Sequence, residues 1–188
     1  MLLVSHSTFA HTELVLSSCP ALERFETRTC ELAFDNRNAG DHSNLRTLGL
    51  NDAVIDVHQL AQFVTRCTAL KSFVVSSADP APPLLFVALA ACRWPALEMF
   101  ECNVDDAPSI DKATILRLLV HSPMLNNLDL PDSVEVDTVM AAIKQWYATR
   151  PPARPLESLF IGGEMVEDEL PRHPSTWENS YSGQSNDD

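Results

Sequence analysis

A short signature recurs six times along the chain: a leucine, two variable residues, then leucine or phenylalanine. The stretches are ALERFET, NLRTLGL, ALKSFVV, ALEMFEC, MLNNLDL and PLESLFI. Five of the six carry an apolar residue two positions further on; in the first, that slot is Thr27. The leading leucines are Leu22, Leu45, Leu70, Leu97, Leu125 and Leu156, at intervals of 23, 25, 27, 28 and 31 residues. After each leader the apolar positions alternate: Leu48 and Leu50, Phe73 and Val75, Phe100 and Cys102, Leu128 and Leu130, Leu159 and Ile161. Period two predicts a short strand with one buried face.

Between these strands the period becomes helical. In DVHQLAQFVTRC, Val57, Leu60, Ala61, Phe63 and Val64 share one side, with Asp56 placed as an N-cap. SIDKATILRLLVHSP has Ser109 before Asp111, an inward set of Ile115, Leu118 and Leu119, and a stop at Pro123. EVDTVMAAIKQWYATRPP turns Val139, Met140, Ile143 and Tyr147 inward and ends at Pro151. PPLLFVALAACRW opens with prolines suited to a first helical turn and is apolar almost all round, so it is expected to be well buried. STFAHTELVLSSCP, near the start, reads as a weaker helix, and ELAFDNRNAGDHSN as a loop or single turn. Met1 to Val4 reads as one earlier strand.

Each unit of strand, turn, helix and return is too small to bury its own apolar face. Side-by-side stacking buries it, with the strands forming a parallel sheet and the helices an outer layer. The pattern resembles the leucine-rich repeat, L-x-x-L-x-L-x-x-[NC], over residues 19–163. Leu22, Phe25, Thr27 and Cys30 fill the four slots of the first repeat, with Thr27 a departure. The last slot departs elsewhere, at Ala53, Ala78, Asp105, Ser133 and Glu164. Cys19, Cys67 and Cys92, each shortly before a strand, are similar to the cysteine-bearing repeats of F-box proteins. Uneven unit length and the degraded ladder resemble the divergent leucine-rich tails of fungal F-box-like proteins. The resemblance implies an α/β solenoid with a curved parallel sheet on its concave side and helices on its convex side. The chain then divides into a partial N-terminal repeat or cap (1–18), a solenoid of about six units (19–163) and an acidic disordered tail (164–188). Trp177, in that tail, reads as an exposed residue.

Charge narrows the range of partners. Thirteen Lys and Arg stand against 26 Asp and Glu, a formal net charge of −13. That balance opposes general binding to nucleic-acid phosphates or anionic lipid. No apolar run approaches the ~20 residues needed to span a membrane, and MLLVSHSTFAHTEL lacks the basic start of a signal peptide. Five cysteines without a CxxC pair read as free thiols, which points to the cytoplasm or nucleus.

Catalytic patterns are missing: GxGxxG, GxxxxGK[ST], HExxH and GxSxG do not occur. The six histidines, His6, His11, His42, His58, His121 and His173, share no ligand spacing, so neither a metal nor a cofactor is expected. His58 reads as an exposed neighbour of the Asp56 cap, and His42 and His121 as solvated turn residues. Cys19, Cys67 and Cys92 recur at similar repeat positions, which is what packing produces, and Cys102 alternates inward with Phe100.

Binding is therefore assigned to the outward strand positions, which alternation fixes as the third, fifth and seventh after each leader. The candidates are Arg24, Glu26 and Arg28 in the first unit, Asn51 in the second, Val74 and Ser76 in the third, and Met99, Glu101 and Asn103 in the fourth. Asn127 and Asp129 follow in the fifth and Phe160 in the last, beside smaller residues such as Gly49 and Pro131. Mostly small side chains with isolated apolar anchors suit a protein partner. The resemblance implies a non-catalytic module, the substrate-recognition part of an F-box-type ubiquitin-ligase receptor, with Skp–cullin components as partners if an F-box lies upstream. Residues 1–18 are too few for the three-helix F-box itself. The alternative is a leucine-rich-repeat inhibitor or scaffold unrelated to ubiquitination.

Overall fold

The structure, a computed structural model, describes residues 1–5, 8–9, 18–32, 42–77, 84–104, 110–149, 155–166 and 170. Its main sheet follows the alternating stretches. The strands are β1 (Leu2–Ser5), β3 (Arg24–Arg28), β5 (Thr47–Asn51), β7 (Ser72–Ser77), β8 (Met99–Val104), β9 (Asn127–Leu130) and β10 (Ser158–Ile161). All pair in parallel, in that order, and β11 (Glu164–Met165) closes antiparallel on β10.

Register follows the signature residue by residue. Phe25, Leu48, Phe73, Phe100, Leu128 and Leu159 are successive Cα partners across the sheet. All six are buried. The turn into each strand is stitched to the next unit by one carbonyl accepting two N–H groups. Glu23 O accepts from Arg46 and Thr47 at 2.8 and 3.0 Å. Arg46, Lys71, Glu98 and Asn126 repeat the arrangement down the stack. These bonds satisfy backbone groups that would otherwise be buried without partners.

Behind the sheet lie four helices among the described residues: α1 (Val57–Val64), α2 (Leu85–Ala91), α3 (Lys112–His121) and α4 (Val136–Thr149). Asp56 caps α1, its side chain accepting from the His58 and Gln59 N–H groups, and Asp111 caps α3 through Thr114 N–H at 2.7 Å. The inward helix residues join the inward strand residues in one apolar cluster. Phe73, Phe86, Trp94 and Phe100 form its aromatic centre, with ring centroids 5.3 to 6.2 Å apart in the contacting pairs. Trp94 is buried because its indole N–H finds the Leu89 carbonyl at 3.0 Å.

The structure corrects several expectations. Thr8–Phe9, inside the stretch read as a weak helix, is a strand, β2. It pairs with β4 (Glu31–Leu32), and β4 with β6 (Val54–Ile55), as a second, three-stranded parallel sheet. Two-residue strands show no period, so only pairing across units reveals them. The helix opened by the prolines is not buried all round: Leu84 is 57% and Val87 41% exposed. A helix packed on one side of a sheet always leaves one face to solvent. Chain beyond Gly163 is not structureless at once, since Gly162 and Gly163, at φ +61° and +77°, turn it back into β11. Trp177 and the rest of the tail beyond β11, apart from Val166 and Leu170, lie outside the described residues, as do His6, His11 and His173.

Candidate functional site

Because β-strand side chains alternate, burying one set obliges the other to face away from the helices. Arg24, Glu26, Arg28, Asn51, Val74, Ser76, Met99, Glu101, Asn103, Asn127, Asp129 and Phe160 all occupy that open face, exposed or half-buried. Two of the smaller residues there are buried instead. Gly49 is covered by the Glu26 side chain, whose Cγ would lie 3.1 Å from a Cβ at position 49. Pro131 is also buried, at the exit of β9.

Polar contacts run along and between the strands on this face. Arg24 Nε–H donates to Glu26 at 2.8 Å. Ser76 hydroxyl donates to Asn51 Oδ1 at 3.0 Å, and Ser158 hydroxyl to Asn127 Oδ1. Asn103 Nδ2 donates to both Glu101 Oε1 (3.3 Å) and Asp129 Oδ2 (3.2 Å). Glu101 and Asp129 are direct Cα partners on β8 and β9. Burial first, and the Asp129 charge second, push the Glu101 carboxyl above its ordinary range, while the Asn103 hydrogen bond pulls it down.

A cleft of about 230 Å³ adjoins this pair where β8, β9 and β10 end. It is lined by Asn103, Val104, Pro131, Asp132, Gly162 and Gly163. Of these, Val104, Asp132 and Gly163 fall outside the outward positions read from the sequence. The available signals are the Pro-Asp pair after β9 and the Gly-Gly pair after β10, both turn chemistry.

The thiols divide by burial. Cys30, Cys67, Cys92 and Cys102 are buried, whereas Cys19, grouped with the packed cysteines by its repeat position, is exposed. Burial pushes Cys92 up to about 11 and Cys102 up to about 12, so both are thiols near neutral pH, poor nucleophiles suited to packing. His58 lies beside the Asp56 cap as expected, with an exposed side chain. His121 and His42 are not simply solvated. His121 Nδ1 sits 3.1 Å from the Cys92 carbonyl, and the His42 ring lies 5.1 Å from that of Phe63. Among the described residues no three His, Cys, Asp or Glu side chains gather as metal ligands, and no helix is long and apolar enough to cross a membrane.

A family model described as "FBD-associated F-box protein At5g56370, LRR repeats" matches residues 10–141. No curated protein and no solved structure matches the chain.

Proposed function

The chain belongs to the leucine-rich-repeat family of that model, whose members are typically non-catalytic protein-interaction modules, and we propose that its open sheet face binds a protein as the substrate-recognition part of an F-box-type ubiquitin-ligase receptor. The family match over residues 10–141 carries this reading. The face lends it support: six strands in register present small side chains, with Val74, Met99 and Phe160 as apolar anchors. Recognition on such a surface requires no bond making and no cofactor.

The test is a tag at the C-terminus at the native locus, followed by affinity purification with mass readout. It is run on the natural sequence and on Met99→Ala combined with Glu101→Arg. The reading expects Skp adaptor and cullin in both samples, and further proteins that the double substitution removes. Adaptor missing from both samples ends the ligase assignment. Partner capture that survives the double substitution ends the assignment to the open face.

A further inference from the structure

The fifth-position residues of the last four units form one row. Val74, Glu101, Asp129 and Phe160 are successive Cα partners on β7, β8, β9 and β10. Each is half-buried on the open face. The row therefore reads apolar, acidic, acidic, apolar. No lysine or arginine occurs anywhere in these four strands. The cations of the described face are Arg24 and Arg28 on β3, about 14 Å from Glu101 at ordinary strand spacing, and Arg24 is already paired with Glu26.

Two neighbouring carboxylates with no facing cation repel each other. Asn103 holds both in place, one amide nitrogen donating to each, and it supplies no charge. The arrangement is preorganised for a cation that the chain itself does not provide among its described residues. The flanking apolar residues set where that cation must stand within its own chain. Strands lie about 4.8 Å apart, so Phe160 is about 14 Å from Val74 and the midpoint between the two acids about 7 Å from it. An extended chain laid across the strands places alternate side chains on one face every ~6.7 Å, so residues i, i+2 and i+4 fall at ~0, 7 and 13 Å.

We infer that this row receives an extended segment of a partner protein with the pattern apolar, any, Lys or Arg, any, apolar. Its outer residues rest on Val74 and Phe160, and its basic residue lies between Glu101 and Asp129. The inference rests on the open-face reading above and adds the chemistry of the partner. Charge complementarity selects this occupant, because a segment with an acidic or neutral centre leaves the two carboxylates desolvated and facing each other.

The test sorts a bead-displayed library of nine-residue peptides, randomised at every position, with the fluorescently labelled full chain. The natural sequence is expected to enrich Lys or Arg about tenfold at one position, with apolar residues two before and two after it. Glu101→Gln combined with Asp129→Asn keeps both shapes, and its folding is checked by an unchanged or raised melting temperature. This variant is expected to reduce the preference for Lys or Arg to less than about twofold while keeping the apolar one. Phe160→Ser is expected to do the reverse. Peptides displaced by open-face substitutions but lacking a basic centre overturn this inference and leave the face as a binding surface. Binding indifferent to all open-face substitutions, or no enrichment at all, overturns both.

Discussion

Among the described residues, the two ends of the stack share one front and differ at the back. In the unit from Leu22 to Leu45 the described return is β4, two residues long, joined to β2 and β6 in a narrow second sheet. In the unit from Leu125 to Leu156 the return is α4, fourteen residues long, burying Val139, Met140, Ala142, Ile143, Trp146 and Tyr147. The strand register does not change between them. A fixed front ladder thus tolerates a back layer whose length varies from unit to unit, because each unit needs only to cover the inward row of its own strand. The cost appears in the core. The thin end fills the inward slot after Phe25 with Thr27, a buried hydroxyl without a hydrogen-bond partner, where later units place Leu50, Val75 and Cys102. It also holds Thr29, a β-branched residue, at φ +51°. The central units hold the aromatic cluster instead.

If the ends differ in this way, truncation at the centre has the largest effect. Phe100→Ala opens a cavity among Phe73, Phe86 and Trp94 and is expected to cost about 4 kcal/mol. Leu32→Ala, in the narrow second sheet and outside the aromatic cluster, removes a smaller side chain and is expected to cost about 2 kcal/mol. Urea denaturation of both variants gives the comparison. Equal losses would mean that the thin end is packed as tightly as the centre.

Closure of the C-terminal edge comes next. A Cβ at position 162 would lie 2.8 Å from Asp132 Cβ and would sit on a left-handed backbone, so Gly162→Ala is expected to cost about 2 kcal/mol. Gly163 is equally left-handed and has open space around it. Gly163→Ala is therefore expected to cost about 1 kcal/mol, the backbone share alone. Thermal melts that rank the two in the opposite order would show that β11 is not seated against the loop after β9.

The thin end offers the opposite sign. Thr27→Val keeps the shape and removes the stranded hydroxyl, so it is expected to stabilise by about 1 kcal/mol. A loss of stability in the same denaturation assay would show that the hydroxyl has a partner and that the first unit is no weaker than the rest.

What could be read from the sequence follows the same division. The spacing from Leu22 to Leu156 set strand order, register and the inward face, because a period-two pattern with a leucine leader leaves one way to stack. The Asp56 cap and the inward faces of α1, α3 and α4 were equally legible, since capping and helical period are local. What escaped depends on contacts between units. β2, β4 and β6 are too short for a period. Trp146 lies beside Tyr147 at the end of α4, and its burial is set by neighbouring layers. Cys19 has the sequence context of Cys67 but is exposed where Cys67 is buried. On the open face alternation placed every candidate residue, and only the covering of Gly49 by Glu26 and the burial of Pro131 needed coordinates.

The smallest effect separates the open face from the core it backs. Burial and the Asp129 charge raise the Glu101 carboxyl, so the folded chain holds that proton more tightly than the unfolded chain does. Ionising Glu101 therefore opposes folding. The penalty is absent below the ordinary carboxylate range, grows as the pH rises from that range to the folded value, and is full above it. Glu101→Gln keeps an oxygen to accept from Asn103 and removes one of two facing like charges. It is expected to stabilise by about 0.5 kcal/mol at pH 7, with the gain gone below about pH 4. Melting temperatures of both proteins at the two pH values check this. A gain that persists in acid would trace to packing rather than charge, and the acidic pair would then be an ordinary part of the wall. A gain confined to neutral pH means the fold tolerates a repulsion on its open face that no cation within the described chain relieves, which is the opposite of how its core is built.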